Sequence, residues 1–343
     1  MQKIKFINNF YYSWWKNLDK SILLIILLLF FIGIFFSLVS TSLVASDKLD
    51  TNDYFFFFKH LAYLLIGFFI IFTISSVSSD YLLKFSPIFF IISLSFLFLV
   101  PLIGVEVKGS KRWIDLFFLP RFQPVEILKP FLIIVLATIL CSKEIKNKNL
   151  KYFLSFLITV IVSSLLIMQP DIGQSLLVIF SWGILIFVSG ISILFLSILL
   201  FVLTTCCFYL IMFISKFEYI KNRILSFFDR ESGTHNFQSD KALDSIVSGG
   251  FFGKGIGEGT LKNRVPEAHT DYIIAVISEE FGVISIILIL FIFLSFIYLV
   301  FKKINIENNN KTKLILTGCI VLILTQAIIH IGVNIRLFPT TGM

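Results

Sequence analysis

The sequence predicts an all-α polytopic membrane protein, and three observations carry that prediction. Its 343 residues are 57% hydrophobic and 15% charged, whereas soluble domains carry roughly 25% charged residues. Its apolar residues gather into runs about as long as a bilayer is thick. It also holds 42 Phe but only 18 Gly and 8 Pro, so these runs are long stretches rather than short strands bounded by turns.

A helix needs about 20 apolar residues to cross the hydrocarbon core, and nine runs approach or exceed that length: 21–45, 55–75, 84–104, 124–141, 151–168, 172–189, 191–215, 272–301 and 314–335. Lys3, Lys5, Lys16 and Lys20 precede the first run. That run is longer than the roughly 7–15 apolar residues of a cleaved signal, which makes it a retained helix. The stretch 151–189 is nearly continuous apart from Gln169, Pro170, Asp171 and Gly173, which mark a tight turn between two antiparallel spans. The next boundary, at Ser189–Gly190, has the weakest signal. No internal repeat and no separate soluble domain interrupts the pattern, so residues 1–343 read as a single transmembrane domain containing one large loop, 216–270.

Orientation follows from the lysines and arginines of the short loops, which mark the cytoplasmic side. The N-terminal lysines, Lys84, the set Lys143, Lys146, Lys148 and Lys151, and the set Lys302, Lys303, Lys311 and Lys313 fall on one face. Segments 46–54, 105–123, 169–171 and 216–270 then lie outside the cell. The long loop balances its basic residues with Asp229, Glu231, Asp240, Asp244, Glu258 and Glu267. Loops of that length cross the membrane largely regardless of charge. The net charge of +8 therefore reads as topology rather than as a nucleic-acid surface. Cys141, Cys206, Cys207 and Cys319 sit in or beside apolar runs without metal-ligand spacing, and are expected to be buried small hydrophobes.

Three segments break the apolar pattern with dense polar residues, and all three fall on the outer side. The first runs Gly109-Ser110-Lys111-Arg112-Trp113-Ile114-Asp115 and then Arg121-Phe122-Gln123-Pro124-Val125-Glu126-Ile127-Leu128-Lys129-Pro130. Pro124 suits the first position of a helix, where its missing N–H has no partner to lose. Glu126 and Lys129 then lie three apart on one helix face inside the membrane boundary, where ionisable groups are costly and generally functional. A salt bridge that only tethers helices would place them the same way. Pro130 frees a carbonyl, which suits a helix lining a cavity. In the second segment, Gln169-Pro170-Asp171-Ile172-Gly173-Gln174, Asp171 is expected to cap the following helix.

The third segment runs from Gly249 to Gly259 and then Val265-Pro266-Glu267-Ala268-His269-Thr270-Asp271-Tyr272. Its glycines are not a phosphate loop, because Lys254 is followed by Gly255 instead of Ser or Thr and no strand precedes them. They read as backbone turns. Asp271 sits where the loop re-enters the membrane, partly desolvated yet beside a helix N-terminus, and either a general base or an N-cap fits that position. One of Glu279 and Glu280, further along the same run, is expected to pair with a buried Lys or Arg. Basic Lys111, Arg112, Arg121 and Lys129 with one poised acid, Asp271, suit an anionic, lipid-linked substrate.

Together these segments resemble the shape, elongation, division and sporulation family of bacterial membrane proteins. The family pattern Gly-x-x-Arg-Trp-Ile followed by Gln-Pro-Ser-Glu-x-x-Lys is matched by Gly109, Arg112, Trp113 and Ile114, then Gln123, Pro124, Glu126 and Lys129, with Val125 in place of Ser. Gln169 to Gly173 resembles the family's Gln-Pro-Asp-x-Gly turn, and Pro266 to Asp271 its long-loop signature. The resemblance implies a peptidoglycan glycosyltransferase that polymerises lipid II outside the inner membrane, working with a class B penicillin-binding transpeptidase and other division proteins. Asp271 would be the catalytic base, with Lys111, Arg112, Arg121, Glu126, Lys129 and His269 around the substrate. The pattern names no metal ligands and requires no cofactor, a divalent cation such as Mg2+ being the one that its chemistry admits.

The stretch Glu267-Ala268-His269-Thr270-Asp271 is closer to the family's division branch than to its elongation branch, where an Arg more often precedes the His. Two departures stand out. Phe237-Gln238 replaces the usual Tyr-Gln, and family chains continue beyond the Pro-Thr-Thr-Gly at 339–342 into a tenth span, so the resemblance implies a chain truncated at its C-terminus. A flippase or transporter of the same lipid-linked precursor would instead concentrate its charges near the midplane, and a non-catalytic division scaffold would not need Asp271. A reporter fused after Lys148 is expected to be cytoplasmic and one fused at Gly233 periplasmic. The opposite result at either position would overturn the orientation.

Overall fold

A computed structural model of the chain describes residues 12, 14–38, 54–107, 110–116, 119–228, 237–261, 265, 268 and 270–339. Its elements are α1 (Lys20–Phe36), α2 (Phe55–Ser76), α3 (Ser79–Ile103), β1 (Val105–Val107), β2 (Ser110–Leu116), β3 (Leu119–Phe122), α4 (Pro124–Leu140), α5 (Lys148–Met168) and α6 (Ile172–Val188). There follow α7 (Ile193–Phe213), α8 (Glu218–Phe228), α9 (Phe237–Gly249), α10 (Ile273–Phe281), α11 (Val283–Ile306) and α12 (Asn310–Asn334). Among the described residues, six of these helices are long and apolar enough to cross a membrane, and α1 and α6 are shorter apolar helices. Every apolar run predicted from sequence contains a helix. The protein is a multi-pass helical membrane protein.

The local chemistry sets the helix ends. Asp19, Asn147, Asp171, Ser192 and Asn309 each cap a helix by accepting from backbone N–H groups of its first turn, which satisfies donors that a helix start leaves unpaired. The 151–189 stretch breaks where expected, between Met168 and Ile172. The weak boundary resolves as a turn from Ser189 to Ser192, with Gly190 at φ +91°. Three features differ from the sequence reading. Strands β1, β2 and β3 form a small antiparallel sheet in that order. The eighth run is two helices, α10 and α11, broken at Gly282. The cysteines are not buried: Cys206 and Cys207 are exposed on α7 and the other two are half-buried. In a bilayer an apolar side chain gains as much from lipid as from a protein core, so no driving force pulls these thiols inward.

The chain forms two compact units. One comprises residues 83–239 and 301–343 and holds the larger core. There α3, α4, α5, α6 and α12 contribute Leu97, Leu128, Leu136, Leu166, Leu177 and Leu322 to one apolar cluster. Trp182 of α6 donates its indole N–H to Ser155 of α5 at 3.1 Å, so the largest buried ring leaves no unpaired donor. The other unit, residues 1–82 and 240–300, has a small cluster of Phe36, Ile277 and Ile289, with Phe281 packed edge-on against Phe36.

Candidate functional site

In the larger unit several of the polar residues singled out from sequence form a network among the helices. Strand β2 alternates, with Lys111, Trp113 and Asp115 outward and Arg112 and Ile114 inward. Arg112 points at the α5–α6 turn. Its guanidinium donates to the carbonyls of Gln169, at 3.3 Å, and Pro170, and its Nε lies 3.8 Å from the Asp171 carboxylate. A guanidinium offers five donors in a planar fork, the geometry needed to grip a turn by several acceptors at once. Asp171 caps α6, as predicted, by accepting from the Gln174 backbone N–H. It also accepts from Gln123 Nε2 at 3.0 Å. That bond explains why Gln123, the residue before α4, makes no side-chain cap of its own.

One turn further into the bundle, Lys129 Nζ lies 2.7 Å from Glu126 Oε2 and donates to Gln326 Oε1 of α12 at 3.0 Å. Gln174 Nε2 of α6 donates to the other Glu126 oxygen at 2.7 Å. The network thus joins α4, α6 and α12. The tethering salt bridge is present, but Lys129 and Glu126 differ in exposure: the Lys129 side chain is 5% exposed and that of Glu126 43%. Removing a charge from water requires charge pairing and hydrogen bonds in return. Lys129 has both. Lys111 and Arg121, by contrast, keep exposed side chains, and Arg121 pairs with Asp115 at 2.8 Å on the surface. Such a surface pair contributes under about 1 kcal/mol and is easily redirected.

In the smaller unit the glycine-rich stretch folds against the α10–α11 break. Breaking a helix leaves carbonyls unpaired, and the loop supplies donors: Lys254 N–H to the Glu279 carbonyl at 2.9 Å and Gly255 N–H to that of Glu280 at 3.0 Å. The Val283 N–H returns to the Gly250 carbonyl at 3.0 Å. At Gly282, φ is +78° and a Cβ would overlap the Phe251 carbonyl oxygen, so only glycine allows both the turn and this approach. The loop therefore is a set of backbone turns, as its sequence implies. Glu279 pairs with a basic residue, but with a partly exposed one rather than the buried one expected: it lies 3.4 Å from Lys254 Nζ and accepts from the Leu261 N–H at 2.9 Å. Asp271 is half-buried and lies one residue outside the N-cap of α10, which is Tyr272.

The structure thus brings Arg112, Glu126 and Lys129 together with Asp171, Gln123, Gln174 and Gln326, whereas Asp271 belongs to the other unit. His269 and Gly109 lie outside the described residues. Among the described residues no three His, Cys, Asp or Glu side chains gather as metal ligands. The sequence reading missed Gln326, whose only signal is an amide within an apolar run, and it did not assign Gln174 and Gln123 as partners of the acids.

The fold defines the chain as a helical membrane bundle, and comparison with known proteins gives its family. Residues 19–343 match the FtsW, RodA and SpoVE family of cell cycle proteins, and the chain belongs to that family. It is 31% identical to the probable peptidoglycan glycosyltransferase FtsW of Wigglesworthia glossinidia brevipalpis, over 99% of this chain and 89% of that one. It is 29% identical to the corresponding protein of Caulobacter vibrioides, over 96% and 83%. Among solved structures, its fold is similar to a chain of a peptidoglycan synthase complex that coordinates polymerization and crosslinking, with TM-score 0.79, 23% identity and 95% and 90% coverage. It is also similar to the rod shape determining protein RodA of Thermus thermophilus, with TM-score 0.66, 22% identity and 96% and 88% coverage.

The Asp171 turn yields a pH dependence. Burial pushes its carboxyl up from an ordinary 3.8 to about 6, against the opposing pull of Arg112 and the Gln174 N–H. The folded protein therefore holds this proton more tightly than the unfolded chain does, and the associated stability is complete below pH 3.8 and lost as pH rises through about 6. Asp171→Asn removes that titration. The melting temperature of the native protein in detergent, relative to the Asn variant, is expected to fall between pH 4 and 6.5. A constant difference across that range would contradict the assignment.

Proposed function

We propose that this protein is a peptidoglycan glycosyltransferase of the division branch, polymerising lipid II at the outer face of the bacterial cytoplasmic membrane. The observation that carries this reading is the similarity, over nearly the whole of this chain, to FtsW proteins named as probable peptidoglycan glycosyltransferases. Its N-terminus would be cytoplasmic, and the segments 105–123 and 216–270 extracytoplasmic, as the lysine distribution indicates.

In this reading Asp271 removes a proton from the acceptor sugar hydroxyl as that oxygen attacks the anomeric carbon of the donor. The bond from that carbon to the lipid pyrophosphate breaks, and the pyrophosphate leaves with the electron pair. The location of Asp271, half-buried beside the start of α10, suits a carboxylate that must be both reachable and reactive. Lys111 and Arg121, with exposed side chains, would draw in the pyrophosphate through charge-assisted hydrogen bonds. Arg112 and Lys129, whose donors are engaged within the protein, would hold the α5–α6 turn and Glu126 in place. His269 would contact substrate beside the base. A divalent cation such as Mg2+ would arrive on the pyrophosphate. The partner would be a class B penicillin-binding transpeptidase within the division machinery, in keeping with the synthase complex whose fold is shared.

Replacing Asp271 with Asn preserves size but removes the ability to take a proton at neutral pH. Polymerisation of purified lipid II is expected to fall about a hundredfold or more, the scale of lost acid–base catalysis, with membrane insertion and transpeptidase binding retained. Glycan synthesis by Asp271→Asn near the native rate would rule out Asp271 as the base.

A further inference from the structure

The Glu126–Lys129 pair presents its carboxylate, not its ammonium. Lys129 is 5% exposed and already holds Glu126 and Gln326, while the Glu126 side chain is 43% exposed. Each carboxylate oxygen has two lone pairs. Gln174 Nε2 occupies one on Oε1 and Lys129 Nζ one on Oε2, both from the buried side. Among the described residues the carboxylate has no further partner, so each oxygen keeps one acceptor direction. The two donors fix the plane of the group. A pinned carboxylate with two open acceptor sites is preorganised for a pair of donors, and it repels phosphate oxygens.

We infer that Glu126 is a saccharide-binding residue that accepts hydrogen bonds from sugar hydroxyls of the lipid-linked substrate, and that Lys129, Gln174 and Gln326 are positioning residues for it. The inference rests on the glycosyltransferase reading above and assigns the sugar, rather than the pyrophosphate, to this pair. Two hydroxyls of one sugar ring are spaced to meet the two oxygens of one carboxylate, and in a partly desolvated setting such charge-assisted bonds are stronger than neutral ones. The anionic part of the substrate is left to exposed cations such as Lys111 and Arg121.

The test compares equilibrium binding of two probes, lipid II and undecaprenyl pyrophosphate, which carries no sugar. Each protein carries Asp271→Asn to stop turnover. Glu126→Gln alone strands the buried Lys129 charge, so the double variant Glu126→Gln/Lys129→Met, which removes both charges, is measured beside it. The double variant is expected to bind lipid II at least tenfold more weakly and undecaprenyl pyrophosphate as well as or better than the parent. Retained pyrophosphate binding also shows that the variant is folded. If the double variant loses undecaprenyl pyrophosphate as much as lipid II, or if it binds lipid II normally, the inference is overturned while the functional reading stands. A parent protein that binds neither probe overturns the functional reading itself, and this inference with it.

Discussion

An ammonium ion placed among apolar helices must be neutralised and hydrogen-bonded where it stands, and the core of the larger unit is organised around that constraint at Lys129. Its ammonium reaches Glu126 of its own helix and Gln326 of α12, and Glu126 in turn accepts from Gln174 of α6. Apolar packing alone would let these helices slide, because lipid is as good a neighbour as Leu. Polar bonds have fixed partners. The network therefore sets the register of three helices that the apolar cluster of Leu128, Leu136 and Leu177 holds only by area. The same logic extends to the membrane surface, where Arg112 grips the Gln169–Asp171 turn.

The smaller unit meets the same constraint with backbone. A helix interrupted at Gly282 exposes carbonyls, and irregular backbone at membrane depth persists only where protein supplies partners. The loop amides of Lys254 and Gly255 do so, with the Glu279 carboxylate binding the loop's side chain and backbone in return. The interruption lies two residues beyond Glu280 and eleven beyond Asp271 in the chain. The segment bearing the proposed base is thereby anchored at its far end by a short, cross-bonded helix.

Much of this was legible in the sequence, because the bilayer demands long apolar runs and marks its faces with charge. All nine runs contain helices, and the caps at Asp171 and the turn at Gln169–Gly173 follow from local chemistry. The Glu126–Lys129 contact followed from their spacing. The exposure of each partner did not, since burial depends on α6 and α12. Gln326 lies 197 residues from Lys129, and one amide among apolar residues carries no local sign of its partner. The β2 strand escaped notice because its inward face holds Arg112, which breaks the apolar-in, polar-out alternation that signals a strand. Gly282 was visible within its run, but glycine is common in membrane helices that do not break.

The functional reading and the physical one meet at Glu126. A carboxylate would be a poor feature in a site for a pyrophosphate, but a fitting one in a site that also orients sugars, provided a buried cation holds it. That cation must be coupled to it energetically, and a double-mutant cycle on unfolding in detergent measures the coupling directly. Glu126→Gln, which strands the buried Lys129 charge, is expected to destabilise by about 3–5 kcal/mol, and Lys129→Met, which leaves the more exposed Glu126 carboxylate in reach of water, by less. The double variant should lose far less than the sum, giving a coupling of roughly 2 kcal/mol or more. Additive losses would show that the two charges do not depend on one another, and would contradict the account.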